Sequence, residues 1–280
     1  MDYIRCLAVS LDGSLWIGDG KVVFYPFTYV THATALQKVI VEDDKLKVIS
    51  SFNVAVLDVA VTPTNDLLLA TGESRLKQIS QGSSKIIDSR YCADYAKLER
   101  VHVDASGLVV VTGEAPSPYK VVVLIMNTDG SVVTVFDNDK NNKPIIDSYS
   151  QSITSTTNGN IFVVDGSKRV LVFGKTNITF YRGQHDTKLE EYPFDPQSVV
   201  TTMSDNVVVA DFVNSVLHII NNVGHLLTIC DIKDKGILHP ISLAICLVGK
   251  SSELFIGCWT SKDTSDKANL CKINISGHYL

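Results

Sequence analysis

The sequence predicts an all-β fold, a six-bladed β-propeller, on three observations. A unit of apolar strand, polar turn, apolar strand and a closing small or acidic residue recurs six times. Asp-Gly and Asn/Gly turns separate β-branched runs, a strong short-range hairpin signal. No stretch sustains an apolar period of about 3.6 residues, so no long helix is expected.

The six units occupy residues 7–19, 59–71, 101–112, 153–165, 199–211 and 241–258. They close at Asp19, Thr71, Thr112, Asp165, Asp211 and Cys258, at intervals of 52, 41, 53, 46 and 47 residues. Such a period leaves room for two more strands after each unit. Residues 121–126, the turn Asn127-Thr128-Asp129-Gly130 and residues 132–136 form one such pair. Residues 216–220, Asn221-Asn222-Val223-Gly224 and 226–229 form another. Four strands per repeat make a propeller blade, and six repeats fill residues 1–280 as a single domain. A β-solenoid, the competing repeat fold, would show shorter repeats and strict stacking positions.

Blade one carries an insertion at residues 21–30 with four aromatics, Phe24, Tyr25, Phe27 and Tyr29. It reads either as a strand with one buried face or as an exposed aromatic flap. Its blade continues with strands at 36–41 and 46–51. The last blade has strands near 241–245, 254–257 and 270–275, followed by a short tail. Either that blade has three strands, or a closing strand lies upstream of Met1.

Composition narrows the class. The 280 residues are 45% hydrophobic with mean hydropathy +0.15, enough to bury a large core. Net charge is −5, which argues against a globally basic nucleic-acid binder, and no DNA partner is expected. The six cysteines lie no closer than 12 positions apart, which excludes CxxC zinc spacing and predicts reduced thiols. The N-terminus lacks a signal-peptide pattern. The longest apolar runs, 121–126 and 243–248, fall far short of the roughly 20 residues a bilayer helix needs. A cytoplasmic protein without a membrane partner is expected.

Motifs for chemistry are sparse. Gly174-Lys175-Thr176 and Gly249-Lys250-Ser251 lack the upstream glycine of a phosphate loop, having Arg169 and Ala244 there. Asp137, Asp139 and Asn141 have calcium-loop spacing, but Asn142 replaces the loop glycine and Ser148 the closing glutamate. On the inner strands Asp58, His102 and Asp104 are the nearest approach to a hydrolase metal set, and His102 reads as structural. No HExxH or Gly-x-Ser-x-Gly occurs. The expectation is therefore a non-catalytic chain with no metal and no cofactor.

Loops on a rigid scaffold carry function. Those joining second to third strands should gather on one face with the interblade loops. They would bring Arg75, Tyr119, Lys168, Arg169, Phe212, Asn214, Trp259 and Lys262 to one rim. Arginine and aromatic residues dominate protein interfaces and also stack on single-stranded RNA.

The stretch Tyr192-Pro-Phe-Asp-Pro-Gln-Ser-Val-Val-Thr-Thr-Met-Ser-Asp-Asn-Val-Val-Val-Ala-Asp211 with residues 212–227 resembles an NHL repeat, as do residues 237–243 and 254–257. Leu7-Ala-Val-Ser10 with Leu15-Trp-Ile17, and Asn160-Ile-Phe-Val-Val-Asp165, fit the same pattern. In outline the chain is similar to the C-terminal propeller of tripartite-motif NHL proteins. The resemblance implies a recognition module that selects a protein substrate for a RING-type ubiquitin ligase, whose RING, B-box and coiled-coil parts have no counterpart here. Some propellers of that family bind RNA. For that alternative, Arg75, Lys77, Lys85, Arg90, Lys97 and Arg100 supply a basic stretch, diluted by Asp88, Asp94 and Glu99. A calcium-dependent propeller hydrolase is the third reading.

Overall fold

The structure is a computed structural model. It describes residues 3–25, 28–42, 45–116, 119–146, 148–183, 192–248, 251–259 and 269–275, with backbone only at 20–25, 28–34, 247, 248 and 251.

Twenty-three strands form six antiparallel sheets, each a meander in sequence order. Blade one comprises β1 (Tyr3–Val9), β2 (Leu15–Tyr25), β3 (Thr28–Glu42) and β4 (Lys45–Phe52). Blade two comprises β5 (Asp58–Val61), β6 (Leu67–Ala70), β7 (Arg75–Ile79) and β8 (Ile86–Cys92). Blade three comprises β9 (Lys97–Val103), β10 (Val109–Pro116), β11 (Tyr119–Met126) and β12 (Val132–Phe136). Blade four comprises β13 (Ser150–Ser155), β14 (Ile161–Asp165), β15 (Arg169–Phe173) and β16 (Ile178–Tyr181). Blade five comprises β17 (Pro196–Thr201), β18 (Val207–Asp211), β19 (Val216–Ile220) and β20 (Leu226–Asp231). Among the described residues blade six has three strands, β21 (Pro240–Val248), β22 (Ser251–Cys258) and β23 (Leu270–Ile275). A single 3-10 turn, Lys233–Lys235, is the helical content of the described residues.

The first strand of each blade is innermost. Each neighbours the next, β1 with β5 and so on to β17 with β21, and β21 with β1 closes the ring. Six apolar clusters fill the six interblade spaces. Period-two alternation explains why both faces of a blade are apolar. On β1, Cys6 and Ala8 turn toward blade two while Ile4 and Leu7 join blade six. Central strands such as β14 (IFVVD) and β18 (VVVAD) are buried along their whole length, as strands covered on both faces must be.

The insertion in blade one is not a separate strand. Residues 20–25 and 28–33 prolong β2 and β3 into one long hairpin, with Gly20 opposite Ala33 and Tyr25 opposite Thr28. Gly18 and Gly20 therefore lie inside β2. Phe27 and the aromatic side chains of the hairpin lie outside the described residues.

Candidate functional site

Hairpin register locates the site. Near its start, the inner strand slips one residue against its partner in five blades: between Ile4 and Cys6, opposite Thr112 and Gly113, between Ser150 and Ser152, between Pro196 and Ser198, and between Pro240 and Ser242. The extra residues are Arg5, Glu99, Gln151, Gln197 and Ile241. In blade two Leu57 holds the same place, its N–H donating to Ala70 O at 2.7 Å just ahead of β5. A bulge leaves its extra residue unpaired and re-aims it, and bulges recur beside active sites. Here five bulges, with Leu57 at the equivalent position of blade two, make one ring. Arg5, Leu57, Gln151, Gln197 and Ile241 line the mouth of the central channel, a cavity of about 280 Å³. Glu99, the extra residue of blade three, is not among the residues that line this cavity.

The residue after each bulge ties its blade to the next. Asp58 accepts from Val101 N at 3.0 Å, and Arg100 Nε donates to Ser150 O at 3.1 Å. Ser152 Oγ accepts from Val199 N and Ser198 Oγ from Leu243 N, both at 3.1 Å. Ser242 Oγ donates to Ile4 O at 2.8 Å, crossing the closure between blades six and one. Cys6 holds the sixth position, where burial, followed by the charge of Asp58, pushes its thiol up to about 12. This second ring satisfies polar groups at the blade edges and holds the bulge ring in place.

Electrostatics concentrates at blades one to three. Arg5 Nε and Arg100 Nη1 both donate to Leu57 O, at 3.3 and 2.7 Å. Burial pushes the Glu99 carboxyl up, and the Arg100 charge only partly offsets this. Burial also raises Asp58, against the pull of Arg100. Gln151 Oε1 is buried with no hydrogen-bond partner among the described residues. Deeper in the channel His102 Nε2 meets Ser155 Oγ at 2.9 Å, and burial brings the imidazole down to about 4. His102 also lines the cavity, as a neutral imidazole near neutral pH.

The donor set does not suit calcium. Calcium takes six to eight oxygen ligands, roughly, with several carboxylates. The cavity lining holds one carboxyl, Asp58, and the bulge positions add Glu99. Both Asp58 oxygens are occupied by backbone N–H groups, of Val59 at 2.9 Å and Val101 at 3.0 Å. Among the described residues no group of three or more His, Cys, Asp or Glu side chains could hold a metal ion. Asp137 and Asp139 serve the loop itself, pairing with Lys120 at 2.6 Å and capping Asn141 N and Lys143 N.

The rim residues expected from sequence fall into three sets. Phe212 and Trp259 come together with His239, ring centroids 4.9–6.0 Å apart, beside the blade-six end of the mouth. Tyr119 is 49% exposed, and Lys168 is exposed within 3.7 Å of Asp195. Arg75, Arg169 and Asn214 are committed to the scaffold. Arg75 donates to Ser89 O at 3.0 Å, and Arg169 to Asp165 at 2.8 Å and Ile145 O at 3.2 Å. Asn214, 3% exposed, holds Tyr192 and Asp211, whose other contacts run through buried His218 to Tyr181 Oη, 2.7 Å from His218 Nδ1. Lys262 lies outside the described residues. The basic stretch is likewise divided, since Lys77 pairs with Glu73 and Asp88, both at 2.8 Å, and Arg100 is inside.

The mouth ring was missed in the sequence, although a signal existed. Its members 5, 57, 99, 151 and 197 each stand two residues before the start of a repeat unit. Residue 241 stands two before Leu243. Superposing the repeats with that offset would have shown them.

No protein-family model and no curated protein matches the sequence. The fold has solved relatives. The chain is similar to a luciferin-regenerating enzyme, at 12% identity and TM-score 0.68, covering 99% of this chain and 92% of that one. It is similar to virginiamycin B lyase from Staphylococcus aureus, at 12% identity and TM-score 0.58, covering 91% and 78%. It is also similar to the calcium-binding protein regucalcin from Agrobacterium tumefaciens, at 10% identity and TM-score 0.62, covering 91% and 82%. At these identities the likeness establishes the six-bladed propeller fold. It also corrects the expectation of a non-catalytic chain. That expectation passed from propeller to recognition module, yet solved propellers of this form include a lyase and a luciferin-regenerating enzyme. None of the three is a tripartite-motif protein.

Proposed function

We propose that the chain is a propeller enzyme acting on a small carbonyl compound at the channel mouth, by hydrolysis or elimination. The observation that carries this reading is the bulge ring, which sets Arg5, Gln151 and Gln197 in the lining of one opening, with Glu99 the extra residue at the equivalent strand position of blade three. A carboxyl raised by burial suits general acid–base work near neutral pH, so Glu99 moves the proton. Arg5 faces the oxygen on which negative charge develops. Gln151 and Gln197 orient the substrate, and the unpartnered Gln151 Oε1 accepts from its donor group. This is the hydrolase alternative in a form that routes no step through calcium.

The test is a substrate panel of aryl esters, lactones and cyclic depsipeptides, incubated with the full chain in EDTA and followed by mass spectrometry. The expected result is turnover of one class, falling about 100-fold in Arg5→Met. Turnover in no class, or equal turnover by the variant, overturns the reading.

A protein partner on the same face is the second reading, favoured by the half-buried Phe212, His239 and Trp259 rings and by exposed Tyr119. Affinity capture with the chain and its Trp259→Ala variant tests it. A captured protein lost in the variant supports a partner there, and identical capture contradicts it.

A further inference from the structure

None of the six cysteines is in a disulfide, but two of them are not independent. Cys271 on β23 stands directly opposite Ile256 on β22. Cys258 lies two residues beyond Ile256, so period two puts it on the same face of the sheet as Cys271. Both side chains join the apolar cluster between blades five and six, with Leu254, Ile256 and Ile273. Cys258 is 3% exposed, whereas Cys271 is only half-buried. The neighbouring Cys258 thiol brings the Cys271 thiol down to about 7, against the effect of burial, while Cys258 itself is raised. One thiol is thus an accessible nucleophile and its neighbour a sheltered partner.

The strand that carries Cys271 can also adjust. The other five blades continue to a fourth strand, whereas no strand pairs with the outer side of β23 among the described residues. A disulfide requires Cα atoms about 4.4–6.8 Å apart, closer than an ordinary diagonal pair. On its outer side no described strand opposes that shift.

We propose that Cys258 and Cys271 form a peroxide-responsive thiol pair that closes to a disulfide and cross-links β22 to β23. The Cys271 thiolate attacks one oxygen of hydrogen peroxide. The O–O bond breaks, and the departing hydroxide takes a proton to become water. The resulting sulfenic acid is attacked by the Cys258 sulfur. The S–S bond forms as the S–O bond breaks, and the Cys258 proton leaves with the hydroxyl as a second water. Two electrons pass from the thiols to the peroxide. The cross-link fixes the end of β22, where the next residue, Trp259, donates its backbone N–H to His239 O at 3.0 Å. Oxidation therefore anchors the aromatic trio beside the mouth.

The experiment treats the full folded chain with a small excess of hydrogen peroxide, alkylates remaining thiols and maps the peptides by mass spectrometry. The expected product is a Cys258–Cys271 linked peptide, with Cys92 still alkylated. In Cys258→Ser the sulfenic acid should persist at Cys271 and be trapped by dimedone. In Cys271→Ser no linked peptide should form. Unchanged alkylation of Cys271, linkage to Cys230 in the same cluster, or over-oxidation of Cys271 with Cys258 still free would each overturn the proposal.

Discussion

The Arg100 guanidinium donates to the Leu57 carbonyl at 2.7 Å, across the boundary between blades two and three. The same side chain reaches Ser150 O in blade four, and its charge offsets the buried carboxylate of Asp58. One arginine thus joins three blades directly beneath the mouth.

Arg100→Met should destabilise the fold by about 3 kcal/mol, because it removes the larger of the two positive charges that offset Asp58, leaving Arg5, and leaves two carbonyls short of a donor. Urea unfolding checks this as a lower midpoint at unchanged slope. Adding Asp58→Asn should recover part of the loss, since the two sites are coupled.

His102 predicts a pH dependence. Its folded value is brought down to about 4 from the ordinary 6.5, so between these values the unfolded chain binds the extra proton. Stability is then undiminished above about 6.5 and falls as pH drops toward 4, with a slope of about 1.4 kcal/mol per pH unit. Unfolding of His102→Gln at several pH values checks it. The variant should lose this slope over that window while other groups keep theirs.

Two turn glycines separate backbone strain from crowding. Gly13 and Gly130 both have positive φ, 78° and 90°. A Cβ at Gly13 meets nothing within 4 Å, whereas one at Gly130 lies 2.5 Å from Arg90 O. Gly13→Ala should cost about 1 kcal/mol, the left-handed penalty alone. Gly130→Ala should cost clearly more, because a backbone carbonyl must move. Thermal melts of the two variants compare them directly.

Much of the fold was legible in the sequence because each blade repeats its own evidence. The closing residues Asp165 and Asp211 mark real strand ends, and Asp129-Gly130 marks a real hairpin turn. The site was less legible for a physical reason. A bulge depends on register, which side-chain type does not encode, so Arg5, Glu99, Gln151 and Gln197 read as ordinary strand-start polar residues. The same limit counted Arg100 in a basic stretch for RNA, whereas it is spent inside the ring. Loop position also says nothing of commitment. Asn214 and Phe212 sit two residues apart in one loop, yet Asn214 is spent on Asp211 and Tyr192 while Phe212 joins the aromatic trio.

The most direct test of catalysis at the mouth is turnover by Glu99→Gln on whichever substrate class the wild type converts. The substitution keeps the size of the side chain and removes the transferable proton. The account predicts a loss of at least about 100-fold in kcat, with an unfolding midpoint close to wild type. Unchanged kcat in a folded variant would contradict it.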